Sequence, residues 1–376
     1  MTPFEFAAPK RIRFGRGVAD GAAEEAARFG TRVLLVRGSV GFADVLERDL
    51  GAAGCTVTIV RSRGEPDLAA VEAATEAARS AGVELVVAVG GGSTIDLGKA
   101  GAALARSSTP PLDHLEVVGR GLPLTVDPLP FIALPSTAGT GAEATKNAVI
   151  GLPDHGRKVS LRHARMLPDL ALVDPVLTDG CPREVTLASG LDAVTQVIEP
   201  WLSSKANPLT DAICRDAIGS GLRALVTLME REDAAARDAL AFTSLSGGLA
   251  LANAGLGAVH GFAGVIGGRT GAAHGAICGR LLPPVLAANA EAGGDPERLD
   301  AIRRIIVEVL GGADRDAFDT LEAWIDAEGL PRLGAMGLDA ADHAEVAEAS
   351  LSASSMKGNP VALSQQALEG VLARAA

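Results

Sequence analysis

The side chains best suited to bind a metal ion are an acid, an amide and two histidines in the second half of the chain. Asp192 and Gln196 stand four residues apart in a helical stretch, so they share one helix face. His260 and His274 lie among small residues, where a buried imidazole needs a partner. One aspartate and two histidines suit Zn²⁺ or Fe²⁺ with an open coordination position. Because the chain has no compact ligand motif such as HExxH here, an acid and two unrelated core histidines remain the alternative.

A run of glycines in the first half predicts a phosphate-binding loop. Val89 is followed by Gly90-Gly91-Gly92-Ser93-Thr94-Ile95-Asp96, so a buried strand continues through glycines into a helix. Glycines let backbone amides approach a ligand closely, and a helix N-terminus favours a phosphate. We expect Ser93 to cap the helix and Asp96 to lie in its first turn. The alternative is an ordinary tight turn between a strand and a helix.

A second loop with small and hydroxyl side chains follows another predicted strand. It runs from Pro135 to Thr145 and includes Thr137 and Thr140. This composition suits a loop that passes close to a ligand, and a flexible polar loop is the alternative.

The elements that must position these groups change in type near the middle of the chain. Short apolar runs predict strands over 32–36, 55–60, 85–89, 131–134 and 170–173, alternating with helices over 66–81 and 96–106. This alternation predicts a mostly parallel sheet covered on both faces. Long Ala/Leu/Glu patterns then predict helices over 183–203, 208–229, 233–252, 297–311, 315–328, 340–353 and 364–375. We therefore expect an α/β domain over 1–177 and an all-helical domain over 178–376.

Composition narrows the class of partner. The chain has 376 residues, 48% of them hydrophobic and 21% charged, which is typical of a globular protein. A net charge of −12 argues against nucleic acid and anionic membranes as partners. The four cysteines are scattered without a CxxC pair, which fits reduced thiols in the cytoplasm and argues against a zinc ribbon. The first residues lack the features of a signal peptide.

One uncharged stretch, residues 239–268, is long enough to span a bilayer. Its many glycines and its polar residues, among them Asn253 and His260, instead favour a buried core helix interrupted by glycines.

Ordered blocks along the chain resemble the iron-containing (group III) alcohol dehydrogenase superfamily, close to its maleylacetate-reductase-like members. The blocks are Gly90-Gly91-Gly92-Ser93-x-x-Asp96-x-x-Lys99, Leu134–Glu143, Lys158-Val159-Ser160, Pro168–Thr178, Ser189–Glu199, His260, His274-Gly275 and Asn359-Pro360. The resemblance implies a dehydroquinate synthase-like architecture, with a nucleotide-binding α/β domain, a helical domain and an active site in the cleft between them.

The resemblance also implies roles for particular residues. Lys158, His260 and His274 would be catalytic, and the metal would be held by Asp192, Gln196, His260 and His274. The residues implied to bind the cofactor are Gly91, Gly92, Ser93, Asp96, Thr137, Thr140, Lys158 and Leu177.

Two positions depart from the family pattern. Gln196 stands where the family normally has a histidine ligand, and Gly264 stands where many members have a histidine thought to assist proton transfer. The related glycerol dehydrogenases use one aspartate and two histidines on Zn²⁺, and Asp192, His260 and His274 match that reduced set.

The choice between NAD and NADP is open in the sequence. The first strand ends Val36-Arg37-Gly38-Ser39, without the acid that NAD-preferring members tend to have. Arg37 and Ser39 could accept a 2′-phosphate, and the alternative is that Arg37 faces solvent.

Together these observations predict an NAD(P)-dependent oxidoreductase that moves a hydride between nicotinamide and an alcohol, aldehyde or ketone. A divalent metal, Fe or Zn, would act as a Lewis acid. We expect a cytoplasmic homodimer. One alternative is a metal-independent maleylacetate reductase, in which Lys158, Arg162 and Arg269 would contact the substrate carboxylates. Another is a nucleotide-binding homologue that has lost catalysis.

Overall fold

The computed structural model describes residues 3–116 and 118–376, which form two compact units. The α/β unit comprises residues 7–137 and 141–179. The helical unit comprises residues 180–376 together with 3–6 and the short segment 138–140.

The α/β unit is built on a parallel sheet. Its strands are β1 (Ile12–Phe14), β2 (Arg32–Arg37), β3 (Thr56–Arg61), β4 (Leu85–Gly90), β5 (Phe131–Pro135), β6 (Asn147–Leu152), β7 (Arg157–Arg162) and β8 (Leu170–Val173). The sheet has the order β1-β8-β5-β4-β2-β3, while β6 and β7 form a separate antiparallel hairpin. The helices are α1 (Ala22–Ala27), α2 (Phe42–Ala52), α3 (Leu68–Ser80) and α4 (Gly92–Leu104).

Strand β4 lies in the interior of this sheet, and its side chains pack against helices on both faces. Val86 and Ala88 belong to one core cluster, which also contains residues of α3 and α4. Leu85, Val87 and Val89 belong to a second cluster, which contains residues of α1 and α2. Because both faces of β4 are covered, its sequence is continuously apolar, as is typical of a parallel strand. The prediction of an α/β fold is confirmed for this unit.

The two loops predicted to bind a ligand follow neighbouring strands. Residues 86–90 of β4 pair in parallel with residues 131–135 of β5, ending at Gly90 opposite Pro135. Since the carboxyl ends of parallel strands meet at one edge of a sheet, the glycine run and Thr137 lie at the same edge, where ligands of open α/β sheets bind.

The helical unit confirms the prediction for the second half of the chain. Its helices are α5 (Arg183–Leu202), α6 (Pro208–Glu230), α7 (Ala234–Ala254), α8 (Ala258–Thr270), α9 (His274–Glu291), α10 (Pro296–Leu310), α11 (Ala317–Ala327), α12 (His343–Leu351) and α13 (Gln365–Ala375).

The uncharged stretch folds as two helices, α7 and α8. They meet at the break Gly255-Leu256-Gly257 with a bend of 100°. Among residues 3–116 and 118–376, no single helix is long and apolar enough to cross a membrane. The bent pair of α7 and α8 has the length and composition of a broken membrane span, and only that.

Glycines bring α9 close to α5. A Cβ added at Gly275 would lie 2.4 Å from the Ala188 carbonyl oxygen, and one at Gly279 would lie 2.6 Å from a Leu191 side-chain carbon. Larger residues at either position would push the helices apart, so the glycines fix the distance between Asp192 on α5 and the first turn of α9.

Candidate cofactor loop and metal centre

The glycine run is shaped by close packing around the start of α4. Gly90 has a φ of +157°, and a Cβ there would lie 2.6 Å from Thr94 Oγ1, so only glycine fits. Gly91 is the N-cap residue in an extended conformation, without a side-chain capping bond, and α4 begins at Gly92. The first-turn amides of α4 therefore follow directly from the sheet edge, an arrangement that suits a phosphate.

The local expectations for Ser93 and Asp96 were wrong. The helix starts at Gly92 rather than at residue 96, so Gly91 occupies the capping position that we predicted for Ser93. Asp96 lies beyond the first turn, and its Oδ2 accepts a hydrogen bond of 2.9 Å from the Val149 amide. The physical reason is that glycine in an extended conformation can serve as an N-cap, which allowed the helix to begin one turn earlier.

Lys99 on α4 is a structural cation. Its Nζ is buried and donates to the carbonyl oxygens of Ala142 and Asn147, at 2.6 and 2.8 Å, and to Thr145 Oγ1 at 2.9 Å. Burial lowers the pKa of Lys99 to about 8, against the opposing effect of Asp96. Burial also raises the pKa of the nearby Glu143 to about 7. This lysine fixes the chain between Ala142 and Asn147 against the helix that starts at the glycine run.

The other residues implied to bind the cofactor have different surroundings. Thr137 is half-buried, with its Oγ1 3.4 Å from the position of a Cβ on Gly91. Thr140 is half-buried in the segment assigned to the helical unit. Lys158 on β7 pairs with Glu65 at 2.5 Å, and Leu177 is buried. Their roles toward the cofactor stay predictions.

Arg37 does not face solvent, so that alternative was wrong. The residue is 4% exposed, and its guanidinium bonds to Asp44 at 2.5 Å and to Glu47 at 3.1 Å, both on α2. These carboxylates, the Asp44 hydrogen bond above all, raise the pKa of Arg37. The sequence signal was the spacing of seven and ten residues to two acids on the following helix. An arginine held in this way is already neutralised by two acids, which weakens it as a partner for a 2′-phosphate.

The helical unit gathers a cluster of metal-ligating side chains, which we call the ligand cluster: Asp192, His260, His274 and Cys278. One ligand atom from each residue lies within 4.8 Å of all the others. Asp192 comes from α5, His260 from α8, and the other two from successive turns of α9. The structure thus brings together three of the four residues predicted as ligands.

A carboxylate oxygen in this cluster is buried without a hydrogen bond among the described residues. Asp192 Oδ1 is buried and makes no hydrogen bond to any residue within the described ranges. It lies 3.3 Å from His260 Nε2 and 3.8 Å from His274 Nε2. Because an orphaned buried carboxylate oxygen is costly, this atom together with two imidazoles and a thiol fits a divalent cation.

Glu199 orients His260. Its Oε2 lies 2.6 Å from His260 Nδ1, and its Oε1 accepts a hydrogen bond of 2.7 Å from the Val259 amide. The carboxylate holds the proton on Nδ1 and leaves Nε2 directed at Asp192. A Cβ on Gly257 would lie 2.8 Å from Glu199 Oε1, so glycine is needed for the acid to reach this place.

Charges around the cluster favour the protonated form of its second histidine. Burial disfavours the imidazolium of His274, but Cys278 and Asp192 outweigh it and raise the pKa of His274 to about 9.

Gln196 is engaged elsewhere in the helical unit. Its Nε2 donates a hydrogen bond of 2.9 Å to the carbonyl oxygen of Gly139, and its Cβ is in contact with the place where a Cβ on Gly247 would lie. Gly264 offers no side chain, and a Cβ there would have open space outside its own helix.

Sequence reasoning missed Cys278 and Glu199. The signals were present: Cys278 follows His274 by one helical turn, and Glu199 lies seven residues after Asp192, which is two turns along the same helix face.

A parallel sheet with a glycine-lined helix start and an acid–histidine cluster that could hold a metal ion are the features expected of a nucleotide-dependent oxidoreductase with a divalent metal. The family model for iron-containing alcohol dehydrogenase matches residues 9–175, and the model for the C-terminal part of that family matches residues 186–376.

Individual relatives agree with these matches. The probable alcohol dehydrogenase EutG of Escherichia coli (strain K12) is 32% identical over 98% of this chain and 94% of its own length. The 1,3-propanediol dehydrogenase of Klebsiella pneumoniae is 33% identical over 78% of this chain and 76% of its own. A crystal structure of a 1,3-propanediol oxidoreductase superposes over the whole of both chains with a TM-score of 0.90 and 29% identity.

The chain belongs to the iron-containing alcohol dehydrogenase family. It is an enzyme, an NAD(P)-dependent oxidoreductase that acts on alcohols and the corresponding carbonyl compounds.

Proposed function

We propose that this enzyme oxidises small primary alcohols, and reduces the aldehydes, with the metal held by the ligand cluster and the cofactor pyrophosphate held at the start of α4. The relatives named above, a probable alcohol dehydrogenase and two enzymes of 1,3-propanediol, support a small alcohol as substrate. The observation that carries the proposal is the orphaned Asp192 Oδ1 beside two imidazoles.

Asp192, His260 and His274 would hold the divalent metal. When bound, the metal supplies a Lewis acid that lowers the pKa of the substrate hydroxyl. Asp192 contributes the negative charge, and Glu199 fixes the tautomer of His260 so that Nε2 is available. The alcohol carbon loses a hydride to nicotinamide C4 and its oxygen loses a proton, which gives aldehyde, NAD(P)H and H⁺.

In the α/β unit, Gly91, Gly92 and Ser93 would bind the pyrophosphate through backbone amides, because no side chain intervenes at Gly91 and Gly92. Thr137, at the same sheet edge, would add a hydroxyl. Asp96 and Lys99 act through structure, since their side chains bond to the segment after β5.

Several finer assignments are proposals that rest on the resemblance alone. They are the role of Lys158, the roles of Thr140 and Leu177, the homodimer and the cytoplasmic location. Lys158 pairs with Glu65, so any contact with cofactor or substrate requires that pair to open. Size-exclusion chromatography with light scattering measures the oligomeric state directly.

The maleylacetate-reductase branch is the competing finer assignment. We propose against it because the ligand cluster is assembled, whereas that reaction needs no metal. The deciding experiment is a panel of small alcohols, aldehydes and maleylacetate, read by NAD(P)H absorbance before and after metal removal. Alcohol turnover that is lost with a chelator and restored by metal supports the proposal. Turnover of maleylacetate that is indifferent to chelator would contradict it.

A further inference from the structure

The fourth member of the ligand cluster is a cysteine that the sequence pattern did not single out. Cys278 is fully buried on α9, one turn after His274. Its Sγ lies 3.7 Å from His260 Nε2 and 3.6 Å from His274 Nε2. The thiol therefore faces the nitrogen atoms of both histidines.

These separations are close to those of ligands around one ion. Bond lengths of about 2.0–2.3 Å place the ligand atoms of a tetrahedral Zn²⁺ site about 3.3–3.6 Å apart. The distances from the two histidines to Asp192 Oδ1 are 3.3 and 3.8 Å, and those to Cys278 Sγ are 3.6 and 3.7 Å. The sulfur–nitrogen distances are also those of hydrogen bonds, and one ligand atom from each of the four residues lies within 4.8 Å of all the others, close enough for donors to a common centre.

A second observation points to a cation at that centre. Asp192 is 1% exposed, and its Oδ1 makes no hydrogen bond within the part of the chain that the structure describes. This oxygen faces the same imidazole nitrogens as the sulfur does.

Gln196 is turned to another partner. Its amide nitrogen is committed to the Gly139 carbonyl oxygen at 2.9 Å, and its Cβ is held against Gly247. The position one turn after Asp192 on α5 is therefore used to hold a loop, while the position one turn after His274 on α9 supplies a donor.

We propose that Cys278 is the fourth protein ligand of the metal centre, in an Asp192–His260–His274–Cys278 set, and that this set selects Zn²⁺ over Fe²⁺. A thiolate is a soft donor that favours Zn²⁺. Zinc sites can expand to five ligands, which leaves a position for the substrate oxygen. The inference rests on the metal site of the proposed function and adds the identity of one donor.

The test uses the full chain, stripped of metal and titrated with Co²⁺ as a spectroscopic probe. A sulfur-to-cobalt charge-transfer band in the near ultraviolet is expected in the wild type and in Gln196→Ala, and is lost in Cys278→Ser. The matched control is Cys181→Ser, a cysteine of the same unit outside the cluster, which keeps the band. Zn²⁺ affinity in Cys278→Ser is expected to fall about 100-fold or more, read against a chromophoric chelator.

A measurement on the wild type tests the same ligand even if Cys278→Ser fails to fold. X-ray absorption at the zinc edge of the reconstituted protein should show one sulfur neighbour at about 2.3 Å. Reconstitution with equal Fe²⁺ and Zn²⁺ under anaerobic conditions should leave mainly zinc, measured by mass spectrometry.

The outcomes distinguish failure of the Cys278 assignment from failure of the metal site itself. Co²⁺ binding that is abolished by Asp192→Ala but shows no sulfur band would overturn the role of Cys278 and leave the metal site standing. A band that persists in Cys278→Ser, or iron retained in preference to zinc, would also overturn the inference. Absence of any metal binding in the wild type would remove the metal site of the proposed function as well.

Discussion

The glycine loop of the α/β unit and the ligand cluster of the helical unit are candidate binding sites of opposite construction. At the start of α4 the groups proposed to bind the cofactor pyrophosphate are backbone amides of consecutive residues, and the side chains there are hydrogens or small groups. In the ligand cluster the groups proposed to bind the metal are side chains from α5, α8 and α9, and the backbone sets their spacing. A backbone site should therefore be sensitive to added atoms, whereas a side-chain site should be sensitive to removed ones.

The largest effect should come from removing the carboxylate of the ligand cluster. We expect Asp192→Ala to lose bound metal and to lower kcat/KM for alcohols by about 10³-fold or more, because it deletes the anionic oxygen and several kcal/mol of Lewis-acid stabilisation with it. Metal content by mass spectrometry and steady-state kinetics check this. Asp216→Ala, an exposed acid on α6, is the matched control. Full activity of metal-free Asp192→Ala would instead support the metal-independent alternative.

Adding atoms to the backbone site should have the next largest effect. Gly91 has a backbone that valine can adopt, and its Cβ would meet only Thr137 at an ordinary 3.4 Å, so Gly91→Val should fold. The new side chain fills the space above the first amides of α4, and the Kd for NAD(P)H should rise about 10- to 100-fold.

Isothermal titration of the cofactor tests that expectation, with Gly51→Val as control because a Cβ there meets nothing within 4 Å. An unchanged Kd would remove the phosphate-loop assignment. Gly90→Ala should behave differently: at a φ of +157° and with Thr94 2.6 Å away, it should lower stability rather than affinity alone.

The same contrast explains what could be predicted from the sequence. The residues at the start of α4 are consecutive in sequence. The strand, the glycines and the helix could therefore be recognised in one stretch, which predicted both the loop and the parallel sheet. The detail failed where glycine replaced a side-chain cap: Ser93 was given the role that Gly91 fills. The edge strand β1 was missed because it has only three residues, and the hairpin β6–β7 was missed although the burial of its strands alternates.

The ligand cluster could be predicted only in part. Asp192, His260 and His274 stood out by residue type, and the family resemblance connected them. Cys278 did not stand out, because a lone buried cysteine usually behaves as a small hydrophobic residue. The start of α9 at His274, which places Cys278 on the same face, was obscured by Pro283 and Pro284 further along that helix.

An effect of similar size is expected for Glu199, which contacts the ligand His260 rather than the metal. Glu199→Gln keeps the size of the side chain but removes the charge that holds the proton on His260 Nδ1, and one of its two bonds is lost. Metal affinity should fall about 10- to 100-fold while the fold persists. Competition against a chelator measures this, and Glu348→Gln, an exposed acid on α12, should leave the affinity unchanged. Equal affinity in Glu199→Gln would mean that Glu199 serves only the Val259 amide.

The smallest effect is expected for Glu143, a buried acid of the α/β unit. There a buried side chain should affect stability rather than binding. Burial raises the pKa of Glu143 from 4.5 to about 7, against the opposing effect of its own backbone and of Lys99. Between these values the folded state holds a proton that the unfolded state has released, so this group's contribution to stability is lost as pH rises through about 7.

Glutamine cannot ionise. Relative to wild type, Glu143→Gln should therefore gain about 3–6 °C in Tm between pH 5 and pH 8. Calorimetry at several pH values measures the difference, with the exposed Glu72→Gln on α3 as control. A difference in Tm that does not change with pH would show that the Glu143 carboxylate stays ionised in the folded protein. Lys99 would then be the partner that stabilises the Glu143 carboxylate. The buried Lys99–Glu143 pair would in that case depend on charged side chains, as the ligand cluster does, and not on backbone groups, as the glycine loop does.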